Sequence, residues 1–203
     1  MSIRCRWLSR GLAIPLLVAS LAANQPAIAH DAAAGSGGAF ISGFTHPLYG
    51  WDHIAAMVAV GIWGAFLGAP AIWLLPIVFP LVMAIGGALA IAGLPLPMIE
   101  AGIAVSSVIL GLAILSAWRA PLLLAGAIVG AFAVFHGHAH GTEIPHAADP
   151  VAYAVGFVLA TGMLHLAGIF LGLLSVRPRG ALVLRGAGAC IALVGTGFLF
   201  GLL

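Results

Sequence analysis

Three imidazoles and a carboxylate fall within nine residues in the run Phe135-His136-Gly137-His138-Ala139-His140-Gly141-Thr142-Glu143. Imidazole with carboxylate is ligand chemistry for a borderline divalent metal such as nickel, cobalt, zinc or copper. If helix runs through this segment, His136 and His140 stand one turn apart on one face. That spacing suits two ligands on one ion, and Glu143 extends the line. His138 then points nearly the opposite way and reaches a different neighbour. Gly137 and Gly141 are equally compatible with a helix end here, so regular geometry is not required.

A second cluster is His46-Pro47-Leu48-Tyr49-Gly50-Trp51-Asp52-His53. On a straight helix His46 and His53 share a face but lie ~10 Å apart along it, and Asp52 and His53 diverge by ~100°. Two arrangements fit better than a single chelate. In one, His53 with Asp52 forms an inner site and His46 an outer collecting position. In the other, Asp52 orients a ligating imidazole of the first cluster by hydrogen bonding to it. The remaining polar residues carry less. Glu100 falls near a membrane surface, where an acid costs little. His146 and Asp149 read as loop polars, with Asp149-Pro150 as a helix cap. His165 lies about 21 Å along its span from Val151. It either makes a helix–helix hydrogen bond, with Thr161 one turn before it, or stands on a path.

The elements that carry these residues are apolar. Hydrophobic residues make up 63% of 203 positions and charged residues 6%, against about 25% charged in soluble domains. Lipid is therefore the expected solvent. All 7 basic residues are Arg, the formal charge is +2, and no basic patch with interleaved aromatics suggests a nucleic-acid partner. Residues 1–29 read as a signal peptide: Arg4, Arg6 and Arg10, then an apolar run too short to span, then Ala27-Ile28-Ala29. Cys5 would leave with it. Cys190 then stands alone, which excludes a disulfide and a thiolate metal site in the mature monomer.

Residues 30–45 read as a periplasmic leader and 46–203 as an all-α transport domain, a bundle of six transmembrane helices. The spans run over about 47–67, 71–92, 98–118, 121–137, 151–174 and 181–203. Signal cleavage puts the new N-terminus outside the cytoplasm. Six spans then place Arg119, Arg177, Arg179 and Arg185 inside, in agreement with the positive-inside rule. The expected location is the bacterial inner membrane, with both mature termini periplasmic. His46, Asp52, His53, Glu100 and residues 136–149 then share the outer side. Small residues four apart (Gly64/Gly68, Gly126/Gly130, Gly168/Gly172, Gly197/Gly201) suit close helix packing. Pro76 and Pro80 are expected to kink the second span.

The patterns His46-x5-Asp52-His53 and Phe135-His136-Gly137-x-Ala139-His140-Gly141-x-Glu143 resemble the two signature motifs of the HupE/UreJ family, nickel permeases associated with hydrogenase and urease maturation. The resemblance extends over essentially the whole mature chain. It implies secondary nickel import that depends on the His and acidic residues of both motifs. These are His46, Asp52, His53, His136, His140 and Glu143. His138 occupies a variable position of the second motif.

The residues and the resemblance together lead to the expectation of a non-enzymatic carrier. Its partners are a divalent metal ion and the lipid bilayer. It keeps no permanent cofactor and takes Ni²⁺ as substrate, with Co²⁺ as the alternative. No Gly-rich stretch ends in Gly-Lys-Ser/Thr, so the membrane potential is the expected drive. Ligation needs neutral imidazole, so transport is expected to fall as pH drops through about 6.5. Two rival readings share the same residues: a membrane-embedded zinc-dependent hydrolase, and a metal sensor or partner-binding subunit that transports nothing.

Overall fold

The computed structural model describes residues 36–143 and 149–203, all within one compact unit, Ala33–Leu203. Residues 1–29, read from sequence as a signal peptide, and His146 lie outside the described residues. The described chain is helical, with no strand among the described residues. The helices are α1 (Ser36–Tyr49), α2 (Trp51–Leu67), α3 (Ala71–Ile91), α4 (Ile99–Leu115), α5 (Leu122–Glu143), α6 (Pro150–Gly172) and α7 (Gly180–Leu199), with a 3-10 turn at Leu173–Val176.

Four of these helices, α3, α5, α6 and α7, are long and apolar enough to cross a membrane, and the bent pair α1–α2 counts as at most one more. Helix α4 has 17 residues, about 25 Å of rise against a hydrocarbon core of ~30 Å. Against the expected six spans, the described residues form four long apolar helices, a broken pair and a short helix. Two boundaries also differ from expectation. Residues 36–45, read as leader from their Gly/Ala/Ser composition, belong to α1. Helix α5 does not stop at Gly137 but runs through the whole second motif to Glu143.

Glycine explains both differences. In lipid, apolar side chains gain little from burial against one another, so helices associate where small residues let backbones touch. A Cβ on Gly43 of α1 would meet the Tyr153 backbone of α6, and one on Gly156 would meet Phe40. A Cβ on Gly137 would meet the Met83 carbonyl of α3, and one on Gly141 would meet Gly87. These glycines are approach points rather than helix ends. Gly168 touches Val58 and Gly61 of α2, and Gly172 touches Ile62. Gly111 and Gly188 join α4 to α7 in the same way.

Among the small-residue pairs named from sequence, Gly168/Gly172 forms such a seam. Gly126 has open space around it, and Gly68 and Gly201 take positive φ at helix ends. The contacts also set direction. Met83–Gly137 and Gly87–Gly141 make α3 parallel to α5, and Val58–Gly168 and Ile62–Gly172 make α2 parallel to α6. Ala104–Gly195 and Leu115–Gly188 make α4 antiparallel to α7.

Helix α3 continues through Pro76 and Pro80. Each proline lacks an N–H, so the carbonyls four residues earlier, Ile72 and Pro76, lose their helix partner. The Arg residues gather at one end. Arg185 Nε donates to the Leu115 carbonyl at the C-terminus of α4 (2.9 Å), and Arg119 lies over the Phe66 ring near the end of α2. Arg177 and Arg179 immediately precede α7. The N-terminus of α4, with Glu100, lies at the opposite end.

Candidate metal centre

The two motifs meet. His53 and His140 ring centroids are 4.7 Å apart, and His53 and His136 are 5.1 Å apart. His53, His136 and His140 each present a ring nitrogen within 4.8 Å of the other two. Nitrogens sharing one zinc-sized ion at ~2.0–2.1 Å stand at most about 4.2 Å apart. Three nitrogens on one ion in tetrahedral geometry stand about 3.4 Å apart, so ring movements of up to about 1.4 Å would close the triad on a cation.

The chain break at Gly50 makes this possible. Helices α1 and α2 meet there at 81°, because Gly50 leaves helical geometry (ψ 113°) while Trp51 restarts the helix. On a straight helix His46 and His53 would be separated by about two turns; here their ring centroids are 6.2 Å apart. His46 also stands 4.9 Å from His140. It borders the triad from the side of α1 without belonging to it.

Asp52 and His53 do not diverge. Asp52 Oδ1 accepts from the His53 backbone N–H (2.9 Å) and pairs with His53 Nδ1 (2.8 Å). The first turn of a helix has unbonded N–H groups, so a carboxylate there folds back onto it. A carboxylate accepts only, so Nδ1 carries the proton and Nε2 keeps its lone pair. His53 Nε2 is buried and makes no hydrogen bond. The acid thus orients its own neighbour, not an imidazole of the other motif.

His136 is held in a complementary way. Ser106 Oγ donates to the Ile103 carbonyl (2.6 Å), so it accepts from His136 Nε2–H at 3.1 Å. The lone pair is left on Nδ1, which is buried and makes no hydrogen bond. Ser107 Oγ donates to the Asp52 carbonyl (3.3 Å). Adjacent residues on a helix diverge by ~100°, so this serine pair on α4 reaches both motifs at once. The sequence reading missed it, although two adjacent hydroxyls in an apolar span were the available signal. Partners of this kind fix the ring orientation and basicity of metal-binding imidazoles.

His140 packs on Phe157 at 4.2 Å, and Tyr153 sits 6.2 Å from His46. Phe79 of α3 lies 5.4 Å from His136. These rings exclude water from one side of the triad. On the other side a cavity of about 320 Å³ is lined by His46, Tyr49, Asp52, His53, Glu100 and Ile103. Glu100 therefore lines the same cavity as His53. His138 lies elsewhere, its Nε2 donating to the Leu94 carbonyl at 2.8 Å. Asp149 caps α6 through Val151 N and Ala152 N. Glu143 ends α5, and its side chain lies outside the described residues.

Fold and site define a multi-pass helical membrane protein in which three histidines from two distant motifs gather beside a cavity. The description HupE / UreJ protein fits a family model that matches residues 17–198. Protein HupE of Rhizobium leguminosarum bv. viciae is 43% identical over 176 residues, covering 87% of this chain and 92% of that protein. The chain belongs to the HupE/UreJ family. No solved structure matches it.

Proposed function

We propose that this protein is a secondary permease that imports Ni²⁺, with Co²⁺ as alternative cargo, across the bacterial inner membrane for metalloenzyme maturation. The observation that carries this is the convergence of His53, His136 and His140 within 4.8 Å of one another, with His53 lining a cavity together with Asp52 and Glu100. Nitrogen donors select a borderline dication over Mg²⁺ or Ca²⁺. Glu100 and Asp52 at the cavity attract it, and His46 provides a first contact. His53, His136 and His140 are the ligand set of the inner site, with Asp52 and Ser106 holding two of the rings. Glu143 adds negative charge at the end of α5.

We further propose six membrane-embedded elements after a cleaved signal peptide: the broken pair α1–α2, then α3 to α7. The parallel pairing of α2 with α6 and α3 with α5, and the antiparallel pairing of α4 with α7, support alternating crossings. The Arg residues at the end away from the site favour placing that end in the cytoplasm, with the site and both mature termini periplasmic.

Two charges crossing 100 mV gain about 4.6 kcal/mol, roughly a thousandfold accumulation without ATP. The test is uptake of radiolabelled nickel by right-side-out vesicles, with cobalt as competitor. Accumulation that follows an imposed inside-negative potential is the expected result. Potential-independent, tightly retained zinc and no nickel flux would contradict it and favour a hydrolase.

A further inference from the structure

Below the triad, α6 presents a second set of polar groups. Tyr153, Phe157, Thr161 and His165 recur every four residues, so they follow one face of the helix. All are buried: 3%, 4%, 0% and 1% exposed. The first two line the triad. The last two lie one and two turns deeper. Neither ring nitrogen of His165 nor Thr161 Oγ1 makes a complete hydrogen bond. Buried polar atoms are bonded in the large majority of cases, so Thr161 Oγ1 and the His165 nitrogen that does not face the Pro76 carbonyl, one turn apart on α6, call for a partner.

A third donor faces them. The Pro76 carbonyl has lost its helix partner because Pro80 has no N–H. It stands beside the His165 ring without meeting the full geometry of a hydrogen bond. Phe79 is on the same helix, between the two prolines. Its ring centroid is 5.4 Å from His136 and 5.4 Å from His165. One aromatic ring therefore separates the triad from the deeper imidazole.

We propose that His165, Thr161 Oγ1 and the Pro76 carbonyl form a second, transient station for the transported dication, on the far side of Phe79 from the triad. The inference rests on the permease reading. The donors are one imidazole, one hydroxyl and one amide carbonyl, with no carboxylate among them. They suit a borderline dication that keeps part of its water shell. Fewer imidazoles and no acid make this station weaker than the triad, which release into the cell requires. Rotation of the Phe79 ring would connect the two.

The experiment compares wild type with His165→Leu, which keeps bulk and removes both nitrogens. Initial nickel uptake rates are measured in vesicles, and nickel binding on purified protein by equilibrium dialysis. The expected result is a maximal uptake rate lowered roughly tenfold or more, with KM and nickel binding at the triad within about twofold of wild type. A role in packing alone would not separate rate from binding. If His165→Leu fails to reach the membrane, Thr161→Val carries the test by the same readouts, with a fall of about threefold in maximal rate. Unchanged uptake in the variant that folds overturns the station and leaves the permease intact. Wild-type vesicles that take up no nickel overturn both.

Discussion

His53→Ala is expected to lower nickel uptake by roughly a hundredfold or more, to the background of empty vesicles. Loss of a partner behind a metal-bound imidazole costs about 10–100-fold, and loss of the imidazole itself costs at least as much. His53 is the residue whose ring reaches both His136 and His140, at 5.1 and 4.7 Å. The site therefore loses its bridge between the two motifs. The ordering of related variants sharpens the expectation. Asp52→Asn keeps the shape but exchanges the carboxylate for an amide that no longer stabilises Nδ1–H, so it falls in the 10–100-fold range. His138→Gln stays within about twofold, since that ring bonds the Leu94 carbonyl at a net worth of only about 1 kcal/mol. The measurement is initial-rate uptake at matched protein level. Wild-type uptake by His53→Ala, or a larger loss at His138 than at Asp52, would contradict the assignment.

Gly137→Ala is expected to be the most damaging single methyl in the second motif. Its Cβ would enter the Met83 backbone carbonyl of α3. Backbone cannot rotate aside as a side chain can, so α3 and α5 must separate. Overpacking of this kind costs about 1–3 kcal/mol. For a chain of this size that lowers Tm by roughly 2–12 °C. Because His136 and His140 sit on either side of Gly137 along α5, the same displacement opens the triad and uptake falls with stability. Gly126→Ala is the control, since its Cβ meets nothing within 4 Å; its Tm and uptake are expected to match wild type. Thermal unfolding in detergent checks both. Equal Tm values for Gly137→Ala and wild type would show that the α3–α5 contact is looser than described.

Much of the site was legible from residue type and spacing. His136 and His140 at four residues needed only a continuous helix to share a face. The His46 and Asp52-His53 cluster was placed at the same end by counting apolar runs and arginines. The cap made by Asp149 was readable because an acid before a proline has few other local roles. What escaped depends on tertiary contact. Gly50 between Tyr49 and Trp51 is a weak break signal by itself. The 81° bend it allows is what shortens the distance from His46 to His53. Two adjacent hydroxyls in an apolar span do not name their partners, and only the neighbouring helices show that Ser106 and Ser107 each have a target. Gly137 and Gly141 suggest a helix end and a helix–helix seam equally well, and the choice rests on α3, far away in sequence. The composition of residues 36–45 resembled a linker for the same reason: small residues serve flexible chain and tight packing alike.

Imidazoles from two distant stretches of the chain are expected to hold the same ion. X-ray absorption spectroscopy of nickel bound to the purified full chain tests it most directly. The expected first shell contains about three imidazoles with oxygen ligands, at distances near 2.1 Å. It loses one imidazole in His53→Ala and one in His140→Ala. A first shell of oxygens alone, or one that keeps its imidazole count in both variants, would contradict it.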